Sequence, residues 1–301
     1  MQETDPLRRV GLVFFVKNLY INSAHSLGRA KIGYAIYTLG GPFTVDSYGK
    51  KVIFSKGNLQ YNANSTNAGT APYTPAWRFA PNQYDYIGSD NSKIAENYDG
   101  WIDLFGWGTG DTPTKHTTLT TDYSSYSECG TAATASLGSG WYTLTNTEWG
   151  YLTTGSRTTM TTGLPSATGS TTAKFKKATV NSVSGLIIFP DNYVHPNDVN
   201  ISLGGDYNNY NSTYSTFDQF TVNSGWDKME LAGAIFLPTT GYRDGTTVKQ
   251  EDTYGYYWSQ TKTAESGYSL YYINTSMNAN NSYTNASLDK GHSVRLVKNA
   301  N

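Results

Sequence analysis

Three runs near the C-terminus decide how this chain is read: Gly255-Tyr-Tyr-Trp258, Ser269-Leu-Tyr-Tyr-Ile273 and Ser293-Val-Arg-Leu-Val297. Each is short, rich in aromatic or β-branched residues and bounded by turn formers, as strands of an antiparallel sheet are. A polar tract, Asn274 to Lys290, lies between the last two. Over residues 251–290, Tyr, Ser, Asn and Thr fill 23 of 40 positions, and no repeat or low-complexity run accounts for that bias. Tyr supplies rigid contact area at low entropy cost, while Ser and Asn supply adaptable hydrogen bonds, so this is the composition of an antibody-type binding surface. Tyr268, Tyr271, Tyr272 and Tyr283 sit among polar neighbours without apolar support. A solvent-facing sheet that uses Tyr and Thr for strand propensity is the plainer alternative.

Working towards the N-terminus, two helices stand out. Thr145-Asn-Thr-Glu148 is a capping box, after which Trp149 and Leu152 share one face. Gly225 to Leu231 is the second, with Trp226, Met229 and Leu231 expected inward and Gly233 as its C-terminal stop. Leu186-Ile-Ile-Phe189 and Ala234-Ile-Phe-Leu237 read as strands, as do Phe43-Thr-Val45, Val52-Ile-Phe54, Leu59-Gln-Tyr61 and Trp77-Arg-Phe79. Residues 82–140 are loop-rich, and a stretch of that kind inside a compact domain is usually functional or an insertion. Gly40-Gly41-Pro42 punctuates the chain, so residues 1–40 are read as an N-terminal extension for attachment or assembly. Within it, Val10 to Val16 is apolar but only seven residues long, which suits a strand better than a membrane span or an export signal.

Composition narrows the function. The chain has 301 residues, with 22 Lys and Arg against 23 Asp and Glu, so there is no basic surplus to neutralise phosphates. One cysteine, Cys129, excludes an internal disulfide and a Cys-rich zinc site. With 25 Tyr, 7 Trp and 30 Gly, and few helix formers, an α+β fold of short strands, two helices and long loops is expected. Trp77, Trp101, Trp107, Trp149, Trp226 and Trp258 have apolar neighbours and are read first as core.

Motifs for chemistry are thin. Cys129 has no local His, and no nucleophile elbow, zincin motif or Walker loop is present. Asp85, Asp90, Asp99, Asp103 and Asp111 leave a glycosidase pair open, although solvated loop acids explain them more simply. Asp191, Asn192, Asn197 and Asp198 around His195 could offer oxygen ligands to calcium, and turn-forming Asx residues explain the same letters. No cofactor, metal or catalytic residue is expected.

Several ordered phrases carry a family resemblance. They are Phe54-Ser-Lys-Gly-Asn-Leu-Gln-Tyr61, Tyr84-Asp-Tyr-Ile-Gly88, Trp101-Ile-Asp-Leu-Phe-Gly-Trp-Gly-Thr109 and Leu144-Thr-Asn-Thr-Glu-Trp149. Gly185-Leu-Ile-Ile-Phe-Pro-Asp191, Gly233-Ala-Ile-Phe-Leu-Pro238, Gly241-Tyr-Arg-Asp-Gly245, Gly255-Tyr-Tyr-Trp-Ser259 and Ser293-Val-Arg-Leu-Val297 complete the frame. Together they resemble the C-type-lectin-fold variable proteins of diversity-generating retroelements in Bacteroides-type bacteria and their phages. That group is similar in fold to formylglycine-generating enzymes, whose catalysis needs a cysteine pair for copper; with Cys129 alone, this chain departs from that pattern. The calcium-lectin loop Glu-Pro-Asn is also missing. In the variable proteins, error-prone copying at template adenines turns Asn codons into Tyr, Ser, Thr, Asp and others, on a surface held by fixed residues. Here that scaffold would be Trp258, Leu270, Val294, Arg295 and Leu296. Leu288 and His292 stand where the family more often has Arg and an aromatic residue.

The resemblance implies one C-type-lectin-like domain over residues 41–301, with a variable region at about 257–292. Its function would be non-catalytic recognition of a cell-surface protein or glycan, from a phage virion or a bacterial surface, with a homo-oligomer such as a tail-fibre trimer adding avidity. The expected ligand face comprises Ser259, Thr261, Thr263, Tyr268, Tyr271, Asn274, Ser276, Asn278, Asn280, Asn281, Tyr283, Asn285 and Asp289. A fixed structural or adhesive surface protein of the same fold is the second expectation, and a glycan-active enzyme the third. Neither nucleic acid nor membrane insertion is expected.

Overall fold

The structure, a computed structural model, describes residues 38–62, 76–88, 98, 100–107, 137–153, 157, 161–162, 164, 174–203, 219–263, 266–273 and 286–300. The chain divides between Tyr37 and Thr38, and Thr38–Asn301 is one compact unit. Val10 to Val16 and Cys129 lie outside the described residues. Strands β1 (Thr38–Thr44), β2 (Lys51–Ser55), β3 (Leu59–Asn62) and β4 (Ala76–Phe79) precede helix α1 (Asn146–Thr153). Then β5 (Thr161–Thr162), β6 (Phe175–Val180), β7 (Val183–Ile188), β8 (Tyr193–Val194), β9 (Ile201–Leu203) and β10 (Gln219–Val222) lead to helix α2 (Trp226–Leu231). After it come β11 (Ile235–Pro238), β12 (Tyr242–Asp244), β13 (Thr247–Lys249), β14 (Tyr254–Lys262), β15 (Ser266–Ile273), β16 (Ala286–Ser287) and β17 (Val297–Asn299). The described residues are thus β-rich with two short helices, within the expected α+β class. No helix among them is long and apolar enough to cross a membrane.

The largest sheet has the order β11-β7-β6-β10-β9, with β6 and β10 parallel and its other pairs antiparallel. Its side chains alternate between two cores. Leu186, Ile188, Ile235 and Leu237 face a core with Phe54, Trp149 and Tyr257. Ile187, Phe189, Ala234 and Phe236 face a second core with Trp226 and Met229. A sheet covered on both faces needs apolar residues at every step, which is why these two segments read as unbroken apolar runs.

Helix α1 begins as expected. Thr145 Oγ1 accepts the Glu148 N–H at 3.1 Å, and Glu148 Oε2 accepts the Thr145 N–H at 2.8 Å, a reciprocal cap. Trp149 and Leu152 are fully inside. In α2, Trp226 and Met229 are buried but Leu231 is 74% exposed, against expectation. Met229 and Leu231 are two residues apart, roughly 200° around the helix, and so cannot share a face. The helix stops where the Ala234 N–H reaches Met229 O at 3.0 Å and the Gly233 N–H reaches Glu230 O at 2.9 Å, with Gly233 at φ +102°. This is a Schellman motif, and Gly233 supplies its left-handed residue.

Two further expectations change. Gly40-Gly41-Pro42 is not a break: β1 runs through it, with an irregularity between Leu39 and Phe43 where the strand meets β2. A bulge absorbs the proline's missing N–H without ending the strand. At the C-terminus, β14 and β15 pair antiparallel as expected, from Tyr254–Ile273 to Trp258–Ser269. The third run does not extend that sheet as an antiparallel neighbour. Ser293 bridges Tyr257 in the parallel sense, and β17 pairs with β2 instead. The cause is the return path: β16 pairs antiparallel with the start of β15, so the chain comes back running the same way as β14.

One buried side chain joins these parts. Gln83 donates its amide to Ala234 O at 3.1 Å and accepts the Phe236 N–H at 2.6 Å. It thereby imitates a neighbouring strand along the outer edge of β11. Arg295, fully inside, donates to Gln83 Oε1 at 3.2 Å and to Phe236 O. Burial lowers the Arg295 guanidinium to about 10, so it remains charged at neutral pH.

Candidate ligand-binding face on the C-terminal hairpin

The β14–β15 hairpin presents two faces. On one, Tyr257, Leu270 and Tyr272 enter the main core. The Tyr257 hydroxyl donates to Pro238 O at 2.8 Å, and the Tyr272 hydroxyl donates to Leu237 O. Tyr272 therefore belongs to the core rather than to a polar surface, as its sequence neighbours had suggested. Its ring lies over Gly255, where a Cβ would stand 2.2 Å from it; only glycine lets the cross-strand ring close down.

On the opposite face lies a row of rings. Tyr254 and Tyr271 stack at 5.5 Å between centroids, Tyr256 and Tyr271 are 5.2 Å apart, and Tyr242 meets Tyr256 edge-on at 5.4 Å. Tyr254, Tyr242 and Tyr271 are half-buried, so each keeps part of its ring open to solvent. Behind them, His292 stacks on Trp258 at 4.0 Å and against Tyr256 at 4.9 Å. Burial holds the His292 imidazole down to about 3, so it is neutral and packs as an aromatic ring would. Burial also raises the Tyr271 phenol to about 12, with Tyr254 adding to the shift, and it pushes the Tyr256 phenol above its ordinary value. Both therefore remain hydrogen-bond donors at neutral pH.

The residues expected to form the ligand face fall into separate places. Tyr271 belongs to the open row. Ser259 is fully inside, contrary to an outward role: its hydroxyl donates to Tyr268 O at 2.8 Å and accepts the Thr261 N–H at 3.2 Å. It pins the irregularity between Trp258 and Lys262, where β14 has more residues than its partner. Thr261 is half-buried; its hydroxyl accepts the Asn146 N–H at 3.1 Å, satisfying one of the orphan donors at the start of α1. Thr263 is exposed in the hairpin turn, accepting the Ser266 N–H at 3.1 Å. Strand alternation sets Tyr268 on the face of Leu270 and Tyr272, opposite Tyr271. Asp289 is half-buried in the turn after β16 and accepts a bond from the Ser287 hydroxyl. Asn274, Ser276, Asn278, Asn280, Asn281, Tyr283 and Asn285 lie outside the described residues.

Sequence reading missed Tyr254, Tyr256 and Tyr242. A signal existed for the first two: their i, i+2 spacing puts them on one face, and a hairpin register brings Tyr271 opposite. Of the tryptophans read as core, Trp77, Trp107, Trp149, Trp226 and Trp258 are buried, while Trp101 is half-buried beneath the Arg78 guanidinium.

Several of the groups weighed for chemistry have partners within the fold. Asp191 accepts from the Thr44 N–H and hydroxyl and from Arg157, whereas Asp198 pairs with Lys228. The loop acids thus point to different cations instead of converging on a calcium ion. His195 meets the Tyr193 hydroxyl at 3.2 Å and Val199 O at 3.4 Å. Asp103 is buried and accepts the Ile87 N–H at 3.0 Å; burial raises its carboxyl to about 7, opposed by that bond and by Arg243. Asp90, Asp99 and Asp111 lie outside the described residues. Among the described residues, no three His, Cys, Asp or Glu side chains gather as metal ligands do. Compared with protein-family models, with curated proteins and with solved structures, the chain matches none.

Proposed function

We propose that the chain is a non-catalytic recognition protein with a C-type-lectin-like fold, whose ligand face starts at the tyrosine row of the β14–β15 hairpin. The observation that carries this reading is the row itself: Tyr242, Tyr254, Tyr256 and Tyr271 packed in series, three of them partly open, on a hairpin whose other face is core. Strand β15 ends at Ile273 and leads directly into the polar tract that begins at Asn274. Rigid rings beside adaptable Asn and Ser side chains are the chemistry of a binding surface. The ligand is a cell-surface protein or glycan, met from a phage particle or a bacterial surface, and the tract is a retroelement-diversified cassette. A fixed adhesive surface of the same fold is the second reading, favoured by Ser259 and Thr261, whose side chains are committed to the fold.

Deep sequencing of the gene's 3′ end in its source population separates the two. Substitutions concentrated in codons 259–290, matched to adenines of a nearby template repeat, are the expected result; codons as quiet as 43–250 would remove diversification. Tyr271→Ala and Tyr254→Ala should weaken adhesion to the target cell at least tenfold while leaving the fold intact. Unchanged adhesion would remove the row from the ligand face.

A further inference from the structure

A concavity lies where β3 and β4 meet the 81–88 turn and the tip of the β6–β7 hairpin. Its volume is about 510 Å3, and its walls include Trp101, Tyr84, Tyr86, Tyr98, Arg78 and Asp85. That volume falls within the ordinary range for small-molecule sites, roughly 300–1,000 Å3.

Several bonds fix its walls before any ligand arrives. The Tyr86 hydroxyl donates to Asp252 Oδ1 at 2.7 Å, and the Tyr98 hydroxyl donates to Trp101 O at 3.1 Å. Asp85 accepts the Asn82 N–H at 2.9 Å and its side-chain amide at 3.0 Å. Ile87 is held from below by the buried Asp103 carboxylate, and Gln83 anchors the same turn to β11. Arg78 lies over the Trp101 ring at 3.9 Å and donates through Nε to Gln60 at 2.9 Å. Asn181, which also lines the groove, sits at φ +50° in the two-residue turn between β6 and β7, with Ser182 at φ +67°. Both left-handed positions match a type I′ hairpin.

The lining selects a class of ligand. Four aromatic side chains line the groove with apolar surface, while the guanidinium donates, Asp85 accepts, and the Asn181 amide can do both. Burial lowers the Arg78 guanidinium below its ordinary range, and the nearby Asp85 carboxylate opposes that shift, so the two charges offset one another. An anionic ligand would meet Asp85 and a cationic one Arg78. A sugar ring satisfies both demands, with C–H faces for the rings and hydroxyls that donate and accept at neighbouring positions. We propose that this groove binds a neutral oligosaccharide, with the Arg78 guanidinium, supported from beneath by the Trp101 ring, and Asp85 and Asn181 as the hydroxyl partners, and the Tyr84, Tyr86 and Tyr98 side chains as apolar walls. The site shares no residue with the tyrosine row and stands independently of it.

The test is titration of the full chain with neutral di- to tetrasaccharides of glucose, galactose, mannose and N-acetylglucosamine, read by saturation-transfer NMR and calorimetry. Sialylated oligosaccharides and a Trp- and Tyr-bearing peptide form the competing arms. A neutral sugar should bind, Trp101→Ala should weaken it at least tenfold, Trp101→Tyr should recover most of the loss, and Tyr271→Ala should change nothing. If Trp101→Ala does not fold, Arg78→Met and Asp85→Asn take its place, each expected to weaken binding several-fold. Binding of acidic sugars or the peptide alone, no binding at all, or binding indifferent to these variants would overturn the proposal. Failure here leaves the tyrosine row untouched, because Tyr271→Ala reads that face separately.

Discussion

The two faces of the β14–β15 hairpin use the same residue type for opposite ends. Tyr257 and Tyr272 are fully buried, and each hydroxyl is spent on a backbone carbonyl. Tyr254 and Tyr271 stack in a row that remains partly open. Tyrosine content therefore does not tell the two faces apart; the parity of the position within the strand does. A phenol on the inner face is a large apolar body whose polar tip must be satisfied, while at Tyr254 and Tyr271 on the outer face it stays partly exposed.

That contrast can be broken experimentally. Truncating the inner face should cost most: Tyr257→Ala should lower unfolding free energy by about 3–5 kcal/mol in urea, through lost packing and an unpaired carbonyl. If Tyr271→Ala costs as much, the division between faces is wrong. Tyr257→Phe keeps the ring and removes only the bond to Pro238, so it should cost about 1–2 kcal/mol.

Acid and neutral pH should then act in opposite directions. His292 is held down to about 3 by burial, while an unfolded imidazole takes a proton near pH 6.5, so stability falls as pH drops from about 6.5 towards 3. Asp103 is raised to about 7 while an unfolded carboxyl ionises near pH 4, so its contribution falls as pH rises through that window. His292→Phe should remove the acid loss measured by thermal melts. Asp103→Asn, which still offers an oxygen to the Ile87 N–H, should flatten the trend between pH 4 and 7. A His292→Phe protein as acid-sensitive as the parent would mean that the imidazole is not held neutral behind the row. The smallest stability effect is expected at the outer face, where Tyr271→Ala should cost less than about 1 kcal/mol while still removing adhesion.

Much of the frame was legible in local sequence. The Thr145–Glu148 cap, the apolar runs at 186–189 and 234–237, and the start of the C-terminal hairpin depend on neighbours within a few positions. The candidate face was only half legible. Tyr268, Tyr271 and Tyr272 had been grouped by their polar surroundings, yet Ser269 and Tyr271 share one face of β15 while Leu270 and Tyr272 share the other. Alternation could have separated them. Ser259 and Thr261 could not have been read correctly, because one is fixed by an irregularity in β14 and the other by the start of a helix 115 positions away. The aromatic groove was equally hidden, since its lining comes from four separate stretches of chain that only the fold assembles.

The sheet β1-β2-β17 brings the two ends of the compact unit onto opposite sides of one strand. Both outer strands run antiparallel to β2, so they are parallel to each other. Thr38 lies opposite Ser55, and Asn299 opposite Val52, so the two ends leave from opposite ends of the sheet. Tension between them is carried along the strands as shear, and the hydrogen bonds across β2 share the load instead of opening one after another. A domain tethered at one end and pulled at the other is thereby clamped by the pairing that closes its fold.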